Sequence, residues 1–311
     1  MAKTILLHCR QMAELAQRIC EQHDEIELGR VTWKRFEDEF PYLMVEDVAT
    51  LRGQDVAFLA CFDTPDTVFE QLAVMQAVPR YGAGSFRVIL PYFPTATMER
   101  VAREGEIATA KTLARLLSVT PLSRSGPVEI LVFDIHALQE RFYFTDTVIP
   151  ILETAIPLIQ KRLGKLPSHP EVTIAFPDEG AWKRFGKMFT EFDQILCHKL
   201  RQSSKGRVVT LKEGCPKGRH VVIVDDLVKT GGTLLECAKM LRQEGAAVVS
   251  AFITHGVFPQ ESWRRFLDGS IDNLWMTDSC PTIARVVDGQ GPFEVLSLSG
   301  IIGKYLCQPE Q

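Results

Sequence analysis

Residues 221–234 read VVIVDDLVKTGGTL, and this stretch decides how the surrounding chain is expected to fold. Residues 221–224 are branched and apolar, which is typical of a parallel strand that is buried on both faces. From Leu234 onward, apolar residues recur with the spacing of a helix that ends near Gly245. The sequence therefore predicts a strand, a short polar loop and a helix.

The predicted loop is suited to binding a phosphate group. Backbone N–H groups at the start of a helix favour anions, and glycines let a ligand approach the backbone closely. The loop residues concerned are Thr230, Gly231, Gly232 and Thr233. Asp225 and Asp226 precede them and could accept the 2- and 3-hydroxyls of a ribose whose 5-phosphate lies on the loop. The alternative is an ordinary strand-to-helix turn with a solvated acidic pair.

Composition limits the class of protein. A chain of 311 residues with 46% hydrophobic residues is long enough for two globular domains of ordinary size. The net charge of −4 argues against a general nucleic-acid binder. The eight cysteines include no CxxC pair, which favours reduced thiols and a cytoplasmic location. No apolar run approaches the roughly 18 residues of a membrane span, and the start of the chain lacks the apolar core of a secretory signal.

The order of the patterns predicts an α/β fold. Strand-like apolar runs alternate with helix-like segments through both halves of the chain, which favours open, mostly parallel sheets flanked by helices. We expect residues 128–137, VEILVFDIHA, to form a strand, and a helix containing Ile149, Leu152 and Ile156 to follow it. A second unit is expected to begin near residue 156. Ligands of such sheets bind beyond the carboxyl ends of the strands.

Other candidate site residues also follow predicted strands. In a strand, Asp134 and His136 would share one face, where the histidine can bind a cation or a phosphate. Asp178 lies in the turn PDEG and can equally be a simple turn former. Lys199 and Arg201 precede a polar stretch and could neutralise a transferring phosphoryl group. For Asp134 and His136, the alternative is a histidine at a strand edge whose hydrogen bonds are already satisfied. For Lys199 and Arg201, it is an ordinary solvated strand end.

Motifs spread over most of the chain extend the interpretation beyond one loop. Seven motifs occur in this order: RG-DV near residue 52, PYF near 91, DIHA at 134, PD at 177, K-x-R at 199, VDDLVKTGGTL at 224 and THGVF at 254. The whole set resembles the ribose-phosphate diphosphokinases, which make 5-phosphoribosyl 1-diphosphate. Segments such as PTATMER, DIHALQERFYF, AFPDEGAWKRF and FEVLSL resemble the plant-type second class of that family.

The resemblance implies a reaction and a domain organisation. The family transfers the β,γ-diphosphoryl group of Mg-ATP to the 1-hydroxyl of ribose 5-phosphate and releases AMP. Its fold is two phosphoribosyltransferase-type (type I) domains, which places a nucleotide-side domain at residues 1–155, completed by the tail 293–311, and a ribose 5-phosphate domain at residues 156–292. A simple phosphoribosyltransferase would explain the loop but not the first half. A non-catalytic regulatory relative is a further alternative, which the retained Lys199, Arg201 and His136 disfavour.

The resemblance also implies roles for individual residues. Ribose 5-phosphate is expected at Asp225, Asp226, Thr230, Gly231, Gly232 and Thr233. Lys199 and Arg201 are expected to lead a mobile loop, residues 202–206, that stabilises the transition state. His136 and Asp178 are expected to organise Mg²⁺ with the nucleotide and the ribose.

The implied nucleotide contacts cross a subunit boundary. Phe36 would pack on the adenine, and Asp38 would contact the nucleotide, both from a neighbouring subunit of a homo-oligomer. Arg100 and His136 are further candidate nucleotide ligands. The expected partners are thus ATP, ribose 5-phosphate and further copies of this chain, with no nucleic acid and no membrane.

The sequence departs from the first class of the family at the nucleotide site. Thr97 and Met98 stand where that class carries an Arg-Gln pair, and Phe40 stands where an acidic nucleotide ligand is common. Lys229 replaces an acid within the phosphate loop. A missing hydrogen-bond partner penalises no analogue, so these changes are expected to relax the choice of phosphate donor.

These departures predict the regulation expected of the second class. Activity should persist in phosphate-free buffer, ADP should inhibit only competitively, and at least one donor other than ATP should turn over. Initial rates in a non-phosphate buffer, with and without added phosphate, measure the first property. A strict phosphate requirement would assign the chain to the first class in spite of its motifs.

Overall fold

The structure is a computed structural model that describes residues 3–202 and 206–308. The chain divides into two compact units. The first comprises Met1–Thr154 together with Ser297–Gln311, and the second comprises Ala155–Leu296. The last segment of the chain thus belongs to the same unit as the first.

The first unit contains a parallel sheet of six strands and a separate antiparallel hairpin. Its strands are β1 Thr4–His8, β2 Ile26–Leu28, β3 Val31–Arg35, β4 Pro41–Val45, β5 Asp55–Leu59, β6 Ser85–Ile89, β7 Val128–Phe133 and β8 Val148–Glu153. The sheet order is β2-β1-β5-β6-β7-β8, and β3 pairs with β4 alone. The central strands β5 and β6 are almost wholly buried, which explains their continuous apolar runs.

The second unit contains a sheet of seven strands. They are β9 Val172–Phe176, β10 Asp193–Gln202, β11 Gly206–Glu213, β12 His220–Val228, β13 Val248–Gly256, β14 Asn273–Thr277 and β15 Phe293–Leu296. Their order is β11-β10-β9-β12-β13-β14-β15. The β10–β11 pair is antiparallel, and the other neighbours are parallel.

Helices cover these sheets. They are α1 Ala13–Gln22, α2 Pro65–Ala77, α3 Thr109–Leu117, α4 Ile156–Leu163, α5 Glu179–Phe185, α6 Gly232–Gln243, α7 Pro281–Val287 and α8 Ser299–Cys307. The predicted α/β class, with mostly parallel sheets flanked by helices, is confirmed. Within residues 3–202 and 206–308, no helix is long and apolar enough to cross a membrane.

The central strand of the second sheet is longer than predicted, and this length creates the site. The apolar run 221–224 predicts a strand that stops before the acids, whereas β12 continues through them to Val228. Its pairing with β9 ends at Ile223 opposite Ala175, but its pairing with β13 continues to Val228 opposite Gly256. The last part of β12 therefore has a neighbouring strand on only one side.

Two sequence predictions in the first unit are wrong. The segment with Ile149 and Leu152 is the edge strand β8, not a helix, because Pro150 fits an edge strand but not a helix interior. The strand predicted over residues 128–137 ends at Phe133, where its pairing with β8 stops. Asp134 follows with a φ of 35° and accepts a hydrogen bond from Thr154 Oγ1 at 2.8 Å.

Candidate active site

The two acids of β12 lie in different electrostatic environments. Asp226 is buried, and its Oδ2 contacts Arg184 Nη1 of α5 at 3.4 Å. The side chains are only 15% exposed for Arg184 and 9% for Asp226, so solvent screens this pair weakly. Arg184 was not among the site residues predicted from the sequence, because a single cation within the short segment WKRF does not mark a binding site.

Asp225 is held in an excess of negative charge. Its Oδ1 accepts a hydrogen bond from the backbone N–H of Asp226 at 3.0 Å. Burial raises the pKa of Asp225 well above its ordinary value, and the charges of Asp226 and Asp178 raise it further. A bound cation, or a ligand that donates hydroxyl hydrogen bonds, would therefore favour the ionised form of this carboxylate.

Asp178 lies at the first turn of α5, beside the end of β9. Its Oδ1 accepts a hydrogen bond from the backbone N–H of Ala181 at 3.0 Å and so caps the helix. Asp178 thus has a local structural role at the turn that precedes α5. Asp178 follows the end of β9, and its charge raises the pKa of Asp225 on the neighbouring strand β12.

Gly231 is required by the shape of the loop after β12. Its φ is 78°, and a Cβ atom at this position would lie 2.4 Å from Cζ of Phe266. Gly232 has no such constraint, because the nearest atom to a Cβ there is Arg265 Nη1 at 4.0 Å. The fold itself thus leaves room for a side chain at Gly232, and a ligand can use that space.

The loop directs its carbonyl oxygens toward the segment Pro259–Asp268. Arg265 Nη1 donates to the Thr230 carbonyl at 2.7 Å, and Ser262 Oγ donates to the Lys229 carbonyl at 3.3 Å. The N-cap residue of α6, Gly231, has no side chain with which to cap the helix. The first N–H groups of a helix have no intrahelical acceptor, so this end can bind an anion. Thr230, Gly231, Gly232 and Thr233 thus lie at or next to the start of this helix.

Lys199 and Arg201 lie on a two-stranded ribbon. Only Asp193–Leu196 of β10 pairs with β9, whereas Cys197 to Gln202 pairs with β11 alone. The ribbon continues to the pair Gln202–Gly206, so residue 202 and residue 206 belong to strands. The side chains at 199 and 201 and the predicted loop tip, 203–205, lie outside the described part.

The candidate nucleotide residues Phe36 and Asp38 lie at the turn of the β3–β4 hairpin. Phe36 is 56% exposed, and its ring contacts the edge of Tyr42 with centroids 5.4 Å apart. Asp38 Oδ1 accepts from the backbone N–H of Phe40 at 3.2 Å. Phe40 itself is 64% exposed. The turn thus presents aromatic surface next to a carboxylate.

The remaining first-unit candidates are exposed. His136 follows β7 but does not share a strand face with Asp134, because that strand has already ended. Arg100 is exposed and contacts Glu99, with Nε and Oε1 3.3 Å apart. His136 and Arg100 belong to the first unit and Asp178 to the second.

A buried polar group at the end of β13 was also missed as a site feature. His255 Nδ1 lies 2.9 Å from Ser279 Oγ, and Ser279 Oγ donates to the Thr254 carbonyl at 3.0 Å. Thr254 and His255 follow the apolar run 251–253, and a polar pair after such a run is the signal by which the sequence marks a strand end. Its contacts fix the segment next to the last residues of β12.

Comparisons with known proteins agree with this architecture. Residues 4–120 match the family model for the N-terminal domain of ribose phosphate pyrophosphokinase. Residues 130–264 match the model for the phosphoribosyl transferase domain. The first match covers the half of the chain that a single phosphoribosyl transferase domain leaves unexplained.

Curated relatives are similar over nearly the whole chain. Ribose-phosphate pyrophosphokinase 4 of Oryza sativa subsp. japonica is 51% identical over 97% of this chain and 94% of its own length. Ribose-phosphate pyrophosphokinase 4 of Arabidopsis thaliana is 49% identical over 98% of this chain and 92% of its own length. A phosphoribosylpyrophosphate synthetase structure from Mycobacterium smegmatis aligns with a TM-score of 0.82 and 22% sequence identity. The alignment covers 98% of this chain and 97% of that chain. That structure supports the fold.

The unequal environments of the two acids predict opposite effects of the same substitution. Ionisation of Asp225 lowers the free energy of unfolding, because the pKa of this group is higher in the folded than in the unfolded chain. This destabilisation is absent below the ordinary pKa of 3.8 and reaches its full size above the pKa of the folded protein. Asp225→Asn should therefore raise the free energy of unfolding by about 1 kcal/mol at pH 7, with a smaller gain at pH 4. Asp226→Asn removes the carboxylate that Arg184 contacts and should lower the free energy of unfolding by roughly 1–3 kcal/mol.

Urea unfolding of both variants, without ligand or divalent cation, measures this contrast. Equal changes of the same sign in the two variants would contradict the assignment of Arg184 to Asp226. Each variant serves as the matched control of the other, since the residues are adjacent and the substitution is identical.

The two loop glycines should also respond differently. Gly231→Ala must adopt a positive φ and displace Phe266, so it should lower the free energy of unfolding by about 2–4 kcal/mol. Gly232→Ala should leave it unchanged or raise it by up to about 1 kcal/mol, because alanine favours a helix. Its effect should instead be a loss of ribose 5-phosphate affinity, measured by calorimetry. Unchanged affinity in Gly232→Ala would show that the ligand does not use this space.

Proposed function

The chain belongs to the ribose-phosphate pyrophosphokinase family, and from that premise we propose how its residues divide the work of the reaction. It transfers the β,γ-diphosphoryl group of ATP to the 1-hydroxyl of ribose 5-phosphate, giving 5-phosphoribosyl 1-diphosphate and AMP. The observation that carries the proposal is the junction of β12 and α6, where two acids and an uncapped helix start adjoin.

Ribose 5-phosphate binds at this junction. Its phosphate accepts hydrogen bonds from the first N–H groups of α6 and from the hydroxyls of Thr230 and Thr233. The ribose hydroxyls donate to Asp225 and Asp226 beyond the point where β9 stops covering β12. Because Arg184 already balances the charge of Asp226, Asp225 is the uncompensated acid of this pair.

The acids at this end of the sheet fit a magnesium ion. Among residues 3–202 and 206–308, the one group of three ligand-type side chains within 4.8 Å lies elsewhere, so these carboxylates do not form a closed cage. That suits Mg²⁺, which commonly uses one or two carboxylates with substrate phosphate oxygens. When bound, it neutralises charge on the transferring group. Asp178 and Asp225 would hold it in the second unit, and His136 is proposed as a metal ligand within the first unit.

Lys199 and Arg201 stabilise the charge that develops during transfer. They lie on the part of β10 that extends beyond β9, which suits residues that close over bound substrates. Closure also excludes water, to which the diphosphoryl group would otherwise be lost. The catalytic contribution of the chain is thus alignment and preorganised charge.

The first unit, Met1–Thr154 with Ser297–Gln311, supplies the nucleotide side, and the second, Ala155–Leu296, supplies the ribose side. Phe36 and Asp38 contact the nucleotide of a neighbouring subunit in a homo-oligomer, and Arg100 and His136 contact nucleotide phosphates. The exposed aromatic turn of the β3–β4 hairpin supports this, because Phe36 and Phe40 have no core to fill there. The chain acts in the cytoplasm, consistent with its free thiols; two relatives are named as chloroplastic and mitochondrial.

The proposal predicts the kinetics of Lys199→Ala. With ribose 5-phosphate and ATP, wild-type protein should form AMP and 5-phosphoribosyl 1-diphosphate in equal amounts. The variant should lose roughly 100-fold or more in both kcat and kcat/KM, because a charge used only in the transition state is removed. Binding of ATP without turnover, measured by calorimetry, should change little.

Lys239→Ala is the matched control for that experiment. Lys239 is an exposed lysine on α6 that contacts only Glu236 of its own helix among its ion pairs within the described chain. It should keep wild-type rates. A Lys199→Ala variant with normal kcat and a raised KM for ATP would make this lysine a ground-state contact and remove it from the catalytic role.

A further inference from the structure

A second cluster of metal-ligand side chains lies where α8 packs on the first unit. Within the described ranges, His23, Glu25 and Cys307 form the one group of three such residues whose ligand atoms lie within 4.8 Å of each other. Cys307 Sγ lies 3.8 Å from His23 Nδ1 and 3.9 Å from Glu25 Oε2. His23 and Glu25 connect α1 to β2, whereas Cys307 is the last residue of α8.

The ring of His23 is held in one orientation by Gly303. A Cβ atom on Gly303 would lie 2.1 Å from Cδ2 and 2.2 Å from Nε2 of His23, so that edge of the ring rests on the backbone of α8. The other ring nitrogen, Nδ1, therefore faces Cys307. Glycine disfavours a helix interior, and the contact with the ring gives a reason for its presence.

The spacing of the three ligand atoms fits a small thiophilic cation. Tetrahedral zinc, with Zn–S of about 2.3 Å and Zn–N of about 2.0–2.1 Å, separates sulfur and nitrogen by about 3.6 Å. The two separations from Cys307 Sγ, 3.8 and 3.9 Å, exceed this by a few tenths of an ångström, which side-chain rotation can supply. Glu25 and Cys307 are exposed, so an ion can reach them from solvent.

The position at the end of α8 also favours a cation. The carboxyl end of a helix carries a partial negative charge, which attracts positive ions. Arg87 is already at this end, where its Nη1 donates to the carbonyls of Tyr305 and Gln308 at 3.3 and 3.4 Å. Its charge opposes the cation, whereas Glu25 and the thiolate of Cys307 attract it.

We propose that His23 Nδ1, a carboxylate oxygen of Glu25 and Cys307 Sγ bind one zinc-type divalent cation, with water in the fourth position. On binding, the S–H bond of Cys307 breaks, its proton passes to solvent, and a sulfur–metal bond forms. The site joins the final helix of the chain to the segment between α1 and β2. Its effect is to stabilise the docking of α8 on its own unit, separately from the magnesium chemistry of the reaction.

Cobalt(II) is a suitable spectroscopic probe of this site. The full chain, freed of metal with a chelator and titrated with Co²⁺, should develop a thiolate-to-cobalt charge-transfer band at one ion per chain. Cys307→Ser should abolish the band, and His23→Gln should weaken binding at least tenfold. Cys215→Ser, at an exposed cysteine in the other unit, is the matched control and should keep the band.

Further readouts separate the proposed site from other cation binding. Zinc at a hundredfold excess over its Kd should raise the Tm of the wild-type chain and of Cys215→Ser by about 5 °C, but not that of Cys307→Ser. Gly303→Ala keeps all three ligands and should still weaken cobalt binding by displacing the His23 ring. A thiolate band that survives in Cys307→Ser, or its absence in wild-type protein, would overturn the proposal. Circular dichroism checks that each variant is folded.

Discussion

The second unit depends on the placement of two adjacent carboxylates in a strand that continues beyond one of its neighbours. β9 pairs with β12 only as far as Ile223, so the backbone edge of β12 at the two acids has no strand on that side. Because β9 stops at Phe176 and α5 follows, the space beside Asp225 is bordered by helix α5 instead of a strand. Arg184 on that helix contacts Asp226, which makes burial of one acid tolerable while the other keeps a raised pKa. The unfavourable charge is thus located where substrate and cation bind.

The shape of the phosphate loop depends on contacts with residues outside the loop itself. Phe266 requires a glycine at 231, and Arg265 and Ser262 bind the carbonyl oxygens that precede α6. Their segment, Pro259–Asp268, is far from the loop in sequence but fixes which way its peptide groups face. The loop is therefore preorganised by tertiary packing, which lowers the conformational entropy that binding must remove.

In the first unit, the last helix of the chain packs against elements from its beginning. Helix α8 packs on α1, and the buried Arg87 of β6 binds the last carbonyls of that helix. The contact of His23 with Gly303 belongs to the same docking surface. Metal binding there would act on the stability of this unit without a change in the residues that surround the phosphate loop, which lies in the other unit.

The sequence by itself determined the elements and the motif. Continuous apolar runs identified the buried strands, and paired glycines with threonines after two acids identified the phosphate loop, because both depend on residues close together in the chain. The helix expected at Ile149 and the strand face expected for Asp134 and His136 failed, since short apolar spacings fit either element until the neighbouring strand sets the pairing. Only the tertiary structure decided that Arg184 contacts Asp226 rather than Asp225, and that Cys307 meets a histidine 284 positions away. Those contacts depend on which faces of distant elements meet, and local periodicity carries no information about that.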